Sequence, residues 1–394
     1  MILRWFLSKT VRQAYAVRKH VRRILCAQRD LLSEQAIQAV TAALDELTRV
    51  LHSEAKKADL KRQMESIEKV ANKWLKPYPY AAWRENVEVL LVALAVAMGI
   101  RTFFIQPFKI PTGSMQPTLF GVTSVNLMEE PNVKIPNAFE RFREWLHGTS
   151  YVHVVSQYDG PLEAVKPPLK ILIFSIWQKI LIGNHWQTIW FPPDYGSPPG
   201  GTLEARAQLR RGQMCHKGED IVKLRIHSGD YLFVDRMTYN FRKPLRGEII
   251  VFETRGIEQR ISNSADARWD IPPDQFYIKR LVALSGEHVR ISPDHHLIIN
   301  GKRLDASTPG FENVYSYDPD KPDDQNQYFG HVPMQRFADG QEFDVRTNHF
   351  LVMGDNTRNS LDSRFFGDVS EKYIIGKSWF IYWPLTKRFG LGYR

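Results

Sequence analysis

Between Val87 and Phe108 the chain runs VEVLLVALAVAMGIRTFFIQPF, 22 residues interrupted by charge only at Glu88 and Arg101. As a helix this stretch is about 33 Å long, enough to cross a hydrocarbon core. Its uninterrupted centre, Val89 to Ile100, is 12 residues, a length that also suits a buried helix of a soluble domain. The flanking charge separates the two. Residues 1–86 hold 17 Lys/Arg against 9 Asp/Glu, a net +8 out of +10 for all 394 residues. Basic charge just ahead of an apolar span is the positive-inside pattern, and it weighs against nucleic acid as the partner of the basic surface. The expectation is one transmembrane helix over 87–108. Arg101 snorkels or faces protein, residues 1–86 stay inside, and everything after Pro107 lies outside.

The span opens into FKIPTGSMQPTL, which presents Ser114 between Gly113 and Met115 in a stretch turned by Pro107, Pro111 and Pro117. Such a backbone is extended and tightly turned, suited to holding a hydroxyl out of the core. A serine is a poor nucleophile until a base comes within hydrogen-bond reach. Without that base, the stretch is a Pro/Gly loop after a helix.

Upstream, MILRWFLSK is too short an apolar run for a secretory leader, and no small-residue cleavage site follows it. Residues 2 to about 28 read as a basic helix that includes Trp5, Phe6, Ile24 and Leu25 and suits anionic lipid. Leu31 to Leu75 reads as one longer helix, with Ile37, Val40, Leu44, Leu47 and Leu51 at three- and four-residue steps. The two form a predicted hairpin. Downstream, residues 120–227 read as a largely irregular insertion. Within it Phe139–Leu146 reads as a short helix, Leu169–Ile182 (LKILIFSIWQKILI) as a buried or interfacial helix, and FPPDYGSPPGG as a loop. From Ser228 the pattern changes to short strands: GDYLFVDRM, GEIIVFE, QFYIKRLVAL, EHVRIS, a hairpin at Asn300-Gly301, HFLVMGDN and EKYIIGKSWFIYW. Close strands without intervening helices predict a mainly antiparallel β body over 228–394, with an excursion around 293–348. The only cysteines, Cys26 and Cys215, fall on either side of the span, so neither a disulfide framework nor a metal-ligand spacing is present.

Three stretches bear chemistry. Ser114 is the first. Lys279 lies among Phe276, Tyr277, Ile278, Leu281 and Val282. Pointing into an apolar wall it loses charge and becomes a base; pointing the other way it is an ordinary solvent-facing lysine. The turn GDNTRNSLDSRFFGDV, Gly354 to Val369, offers Asp355, Asp362 and Arg364 as an ion-pair network or, equally, as a plain polar turn.

Together the motifs RTFFIQPFKIPTGSMQPTL, GDYLFVDR, RGEIIVFE, YIKRLVALSGE and GDN…NS.DSR..G, in this order, resemble bacterial type I signal peptidase, a Ser-Lys protease. The resemblance covers well under half of the chain. It implies Ser114 as nucleophile, Lys279 as general base and Ser360 as the group orienting the amine. It further implies Asp362 and Arg364 as a supporting salt bridge, with Gly354, Asp355 and Asn356 in the same turn. Thr112 stands where the family places an oxyanion-binding hydroxyl, joined by the Ser114 backbone N–H. The implied function is cleavage of N-terminal signal peptides from exported preproteins after small residues, without metal or cofactor. The implied location is the bacterial inner membrane, single-pass, with the N-terminus cytoplasmic and the catalytic side periplasmic. The partners implied are preproteins and membrane lipid, no nucleic acid, and secretion machinery touching the N-terminal helices or the insertion. Two rivals are a self-cleaving repressor-type Ser-Lys protease, which the span before Ser114 disfavours, and an inactive membrane-anchored β-domain that binds exported polypeptides. The long N-terminal region, the 109–119 segment set apart from 228–394 by the insertion, and the excursion from Ser307 to Val345 depart from a minimal enzyme.

Overall fold

A computed structural model describes residues 8–53, 56–76, 81–130, 133, 135–171, 174–198, 200–257, 271–272, 274–317 and 327–391. Trp5 and Phe6, expected in the first helix, lie outside them. The chain divides into two compact units, Met1–Val96 and Ala97–Arg394.

The first unit is built from helices. α1 (Lys9–Gln28) starts at Ser8, whose hydroxyl accepts from the Val11 N–H, and α2 (Glu34–His52) starts at Ser33 in the same way. α3 (Lys57–Trp74) follows. Val11, Ala14, Val21 and Leu25 pack with Val40, Leu44, Leu47 and Leu51 and with Leu60 and Ile67 in one core. The Gln28 amide closes the bundle by bonding both backbone groups of Lys76. Three helices therefore stand where a two-helix hairpin is expected. The apolar row stops at Leu51 and resumes at Leu60, and α2 ends at Ser53, whose N–H bonds the Arg49 carbonyl. α4 (Ala81–Phe103) is the one helix among the described residues long and apolar enough to cross a membrane; that segment is Trp83–Phe103, and none of it is buried. It stops short of the expected Phe108. Pro107 cannot continue a helix and biases Gln106 to extended backbone, so β1 (Ile105–Lys109) begins at once.

In the second unit the chain continues through β2 (Thr123–Asn126), α5 (Ala138–Leu146), β3 (Thr149–Val155), β4 (Gly160–Val165), β5 (Leu169–Ile171), β6 (Phe174–Ile182), β7 (His185–Trp190), β8 (Met214–Cys215) and β9 (Asp220–His227). It goes on through β10 (Tyr231–Asp235), β11 (Ile249–Glu253), β12 (Phe276–Ala283), β13 (His288–Ile291), β14 (Leu297–Ile299), β15 (Lys302–Arg303) and β16 (Glu342–Asp344). β17 (His349–Met353), β18 (Val369–Ser370), β19 (Ile374–Trp383) and β20 (Gly390–Leu391) complete it. All pairings are antiparallel. The main sheet has the order β1-β10-β19-β11-β12-β17-β18, with β20 on β19, and β13 to β16 form a separate four-stranded excursion.

The insertion is not irregular. β2-β9-β3 form one sheet and β5-β6-β4-β8, with β7 on β6, another; between them lies a core that includes Val152, Ile180, Ile182, Val222 and Leu224. Where a helix is expected over Leu169–Ile182, the described residues form two paired strands, β5 and β6. Gln178, Ile180 and Ile182 are buried while Lys179 is exposed, a period of two that β-branched isoleucines fit on a pleated surface.

Candidate active site

Ser114 sits in the turn that follows β1. Its neighbours Met115 and Leu119 are buried with Ile110, Leu232, Val234, Ile249 and Val251, so the apolar residues around the serine clamp its position. Lys279 comes from the middle of β12, opposite Ile250 of β11. Its side chain points inward, and Nζ donates to Ser114 Oγ at 2.8 Å. Both residues are buried, at 5 % and 8 % exposure. Burial pushes the amine down to about 8; the Asp362 carboxylate opposes the shift, and the Arg364 guanidinium assists it. A lysine so placed is neutral in a far larger fraction than an exposed one, about a tenth at pH 7, and faces a hydroxyl it can deprotonate.

The turn after β17 holds this pair from behind. The Asn356 backbone N–H donates to the Ser114 carbonyl at 3.0 Å, and its side-chain amide donates to the Gly113 carbonyl at 3.0 Å. Gly354 passes so close that a Cβ there would lie 2.5 Å from the Ser114 carbonyl oxygen. The Gly354 N–H donates to Asp362 at 3.0 Å, and Arg364 makes a two-pronged pair with the same carboxylate at 2.9 and 2.8 Å, all fully buried. Burial pushes the Asp362 carboxyl up, but the Arg364 charge and hydrogen bonds outweigh it and hold the group below its ordinary value.

Asp355 does not join that pair. It bonds Arg280, the residue after the lysine, at 2.8 and 2.5 Å and accepts from the Thr118 hydroxyl at 2.5 Å. Two separate buried ion pairs stand where one network is expected, since strand alternation sends Lys279 and Arg280 to opposite faces and each face supplies its own acid. Ser360 is buried against Gly354, where its hydroxyl helps to hold the Asp362 carboxyl below its ordinary value but makes no hydrogen bond to Lys279. Thr112 is exposed on the turn; among the described residues neither its hydroxyl nor the Ser114 N–H donates to another group. Both donors are therefore open to a ligand.

Arg280, Thr118, Thr357 and His331 escape sequence reasoning. Arg364 donates to Thr357 Oγ1 at 2.8 Å, which also accepts the Val332 N–H at 2.6 Å, so the excursion before β16 is bonded to the turn behind the site. His331 is buried beside them and pushed down to about 3, chiefly by burial, and it is neutral. The one legible signal is the charged dipeptide Lys279-Arg280 inside an apolar strand, where each residue requires a partner on its own face.

The family described as "Signal peptidase, peptidase S26" matches residues 83–133 and 222–383, more than half of the chain. A probable signal peptidase I-2 of Synechocystis sp. is 31% identical over 159 residues, which cover 40% of this chain and 57% of the relative. A signal peptidase I of Leptolyngbya laminosa is 30% identical over 164 residues, covering 41% of this chain and 64% of the relative. The chain thus spans roughly three fifths of these relatives' length. A crystal structure of a signal peptidase I from Enterococcus faecalis V583 is 27% identical and covers 34% of this chain and 97% of its own, at a TM-score of 0.22. Residues 134–221, most of the insertion, fall outside the family match. On the extent of that match the chain belongs to the signal peptidase family, peptidase S26.

Proposed function

We propose that the protein is a membrane-bound serine endopeptidase that removes N-terminal signal peptides from exported preproteins, cutting after small residues. The observation that carries this reading is the buried 2.8 Å hydrogen bond from Lys279 Nζ to Ser114 Oγ. Neutral Lys279 takes the hydroxyl proton as Oγ attacks the scissile carbonyl. The Thr112 hydroxyl and the Ser114 N–H stabilise the oxyanion. The tetrahedral intermediate collapses to an ester on Ser114 as the protonated lysine gives its proton to the departing amine. Lys279 then deprotonates a water, which hydrolyses the ester and restores the serine. Asp362, Arg364, Gly354, Asp355, Asn356 and Ser360 act by positioning the turn behind the pair.

Two sheet edges support strand addition as the mode of substrate binding. Among the described residues β1 pairs with β10 on one side only, and β12 pairs with β17 only from Arg280 onward, so that Phe276–Lys279 have no strand partner on that side. The Phe108 and Phe276 rings meet edge to face at 5.5 Å between these edges. An extended peptide lying along them brings its carbonyl to Ser114. α4 is the anchor, with the basic first unit on the cytoplasmic side and the β body on the periplasmic side of the bacterial inner membrane. Secretion machinery would be met through the N-terminal helices or the insertion.

The test is cleavage of a model preprotein by the detergent-solubilised protein beside Ser114→Ala and Lys279→Met. Cutting after a small residue by the unaltered chain, lost in both variants, is expected. Cutting retained in Ser114→Ala, or none by a folded unaltered chain, overturns the assignment.

A further inference from the structure

α5 is a folded helix that rests on β3 by one side, while nothing among the described residues covers its outer side. Its ends are secured locally: the Asn137 side chain accepts from the Glu140 N–H, and the Glu140 carboxylate accepts from the Asn137 N–H. No residue of α5 is buried. Yet Phe139, Phe142 and Trp145 follow at three-residue steps, 77 %, 59 % and 48 % exposed. Spacing of this kind gathers the rings toward one side of the helix, and a row of uncovered rings marks a surface built to meet something apolar.

We infer that α5 and the groove it borders dock onto the phospholipid surface of the bilayer that α4 enters, an inference that rests on reading α4 as a membrane span. The first support is chemical. Phe142 and Trp145 line a groove of about 860 Å³ together with Ile171, Phe191, Arg141 and Lys170. Among the described residues Arg141 and Lys170 form no ion pair, whereas nearby Asp194 is taken by Lys109. Aromatic rings beside unpaired cations match the boundary between acyl chains and phosphate headgroups.

The second support is continuity. Phe142 stacks on Trp145 at 6.0 Å, Trp145 meets Trp383 at 6.0 Å, and Trp383 meets Tyr231 at 5.1 Å. The Leu385 N–H donates to the Leu146 carbonyl at 3.0 Å, which pins the end of α5 to the chain leaving β19. β19 pairs with β10, β10 with β1, and β1 begins two residues after α4 ends. The ring row is thereby tied to the strands that follow the span directly. α5 lies in the stretch outside the family match, so the surface belongs to this chain's insertion rather than to the shared body.

Phe142 is exposed, so Phe142→Cys leaves the core intact, and a polarity-sensitive fluorophore on it reads its surroundings. The full chain, with exposed Cys26→Ser and with Cys215 buried, is reconstituted in phosphatidylcholine–phosphatidylglycerol vesicles. Nitroxide lipids quench either near the headgroup or deep in the chain. Quenching of the probe at 142 by the shallow nitroxide, several-fold above a probe at Lys217→Cys on an exposed turn of the insertion, is expected. A probe at Val92→Cys quenched by the deep nitroxide reports the span. Quenching at 92, with 142 no more quenched than 217, overturns the docking and leaves the span standing. No quenching at 92 sinks the span reading and the docking with it. Shielding of 142 only after a preprotein is added assigns the surface to a polypeptide and overturns the lipid. A second readout uses Phe139→Ser, Phe142→Ser and Trp145→Ser combined. Cleavage of a vesicle-borne preprotein is expected to fall several-fold while cleavage of a soluble peptide stays unchanged; equal loss of both overturns the proposal.

Discussion

Lys279 is held between opposing influences. Burial favours the neutral amine, Asp362 and Asp355 favour the ammonium, and Arg364 opposes them; the outcome is a group near 8 instead of 10.5. Only the neutral form can take the serine proton. Activity therefore depends on pH in one direction across this range: below about 8 most of the lysine is protonated and idle, and above it the base is fully present. The profile of kcat/KM for a peptide substrate should rise about tenfold per pH unit below 8 and level off above it. A profile flat from about pH 6 to 9 would remove Lys279 from the role of base. The depressed value also explains why this lysine is not a passive core residue, since burial works against its charged form and the fold retains it beside a hydroxyl.

The turn from Gly354 to Arg364 is the element on which the site depends. A Cβ added at Gly354 would sit 2.2 Å from Ser360 Oγ and 2.5 Å from the Ser114 carbonyl oxygen, and the second contact is with backbone that cannot rotate away. Gly354→Ala is expected to displace the nucleophile and lower kcat, by up to about a hundredfold where the displacement approaches about 1 Å. The accompanying loss of stability is about 1–3 kcal/mol, as for overpacking elsewhere. Denaturant unfolding and peptide cleavage measured together check it; unchanged kcat would show that the turn does not set the serine's position. Strand elements such as β10, β12 and β17 were legible because apolar alternation and bounding turns announce them, and Asn300 and Gly301 adopt the positive φ that their hairpin requires. Strand β6 was not legible: LKILIFSIWQKILI is apolar enough to mask its two-residue period, and only its neighbours β4 and β7 decide for sheet. Ser114 and Lys279 were legible through the resemblance of their motifs. The partner of Asp355 was not, because Arg280 lies 75 residues away and Thr118 lies 237 away, and no local pattern records such a distance.

Across the whole molecule, the candidate site residues all lie in the second unit, while the first contributes helices with a core of their own. Leu47 in α2 is fully buried, so Leu47→Ala should destabilise the helical unit by about 3 kcal/mol. Cleavage of a soluble peptide should not change, because none of the candidate site residues belongs to that unit. Thermal melting followed by circular dichroism, with kinetics on the same samples, checks both halves; a fall in kcat would show that the helices reach the site. The hydrogen bond between Lys279 and Ser114 joins residues 165 apart in sequence. Closing a loop of that length costs more entropy than making a local contact does. A molecule still emerging segment by segment thus carries a serine without a base, its turn unsupported until residues beyond Gly354 arrive. Under the proposed function, a copy that ends before Gly354 would hold the nucleophile without the turn that supports it.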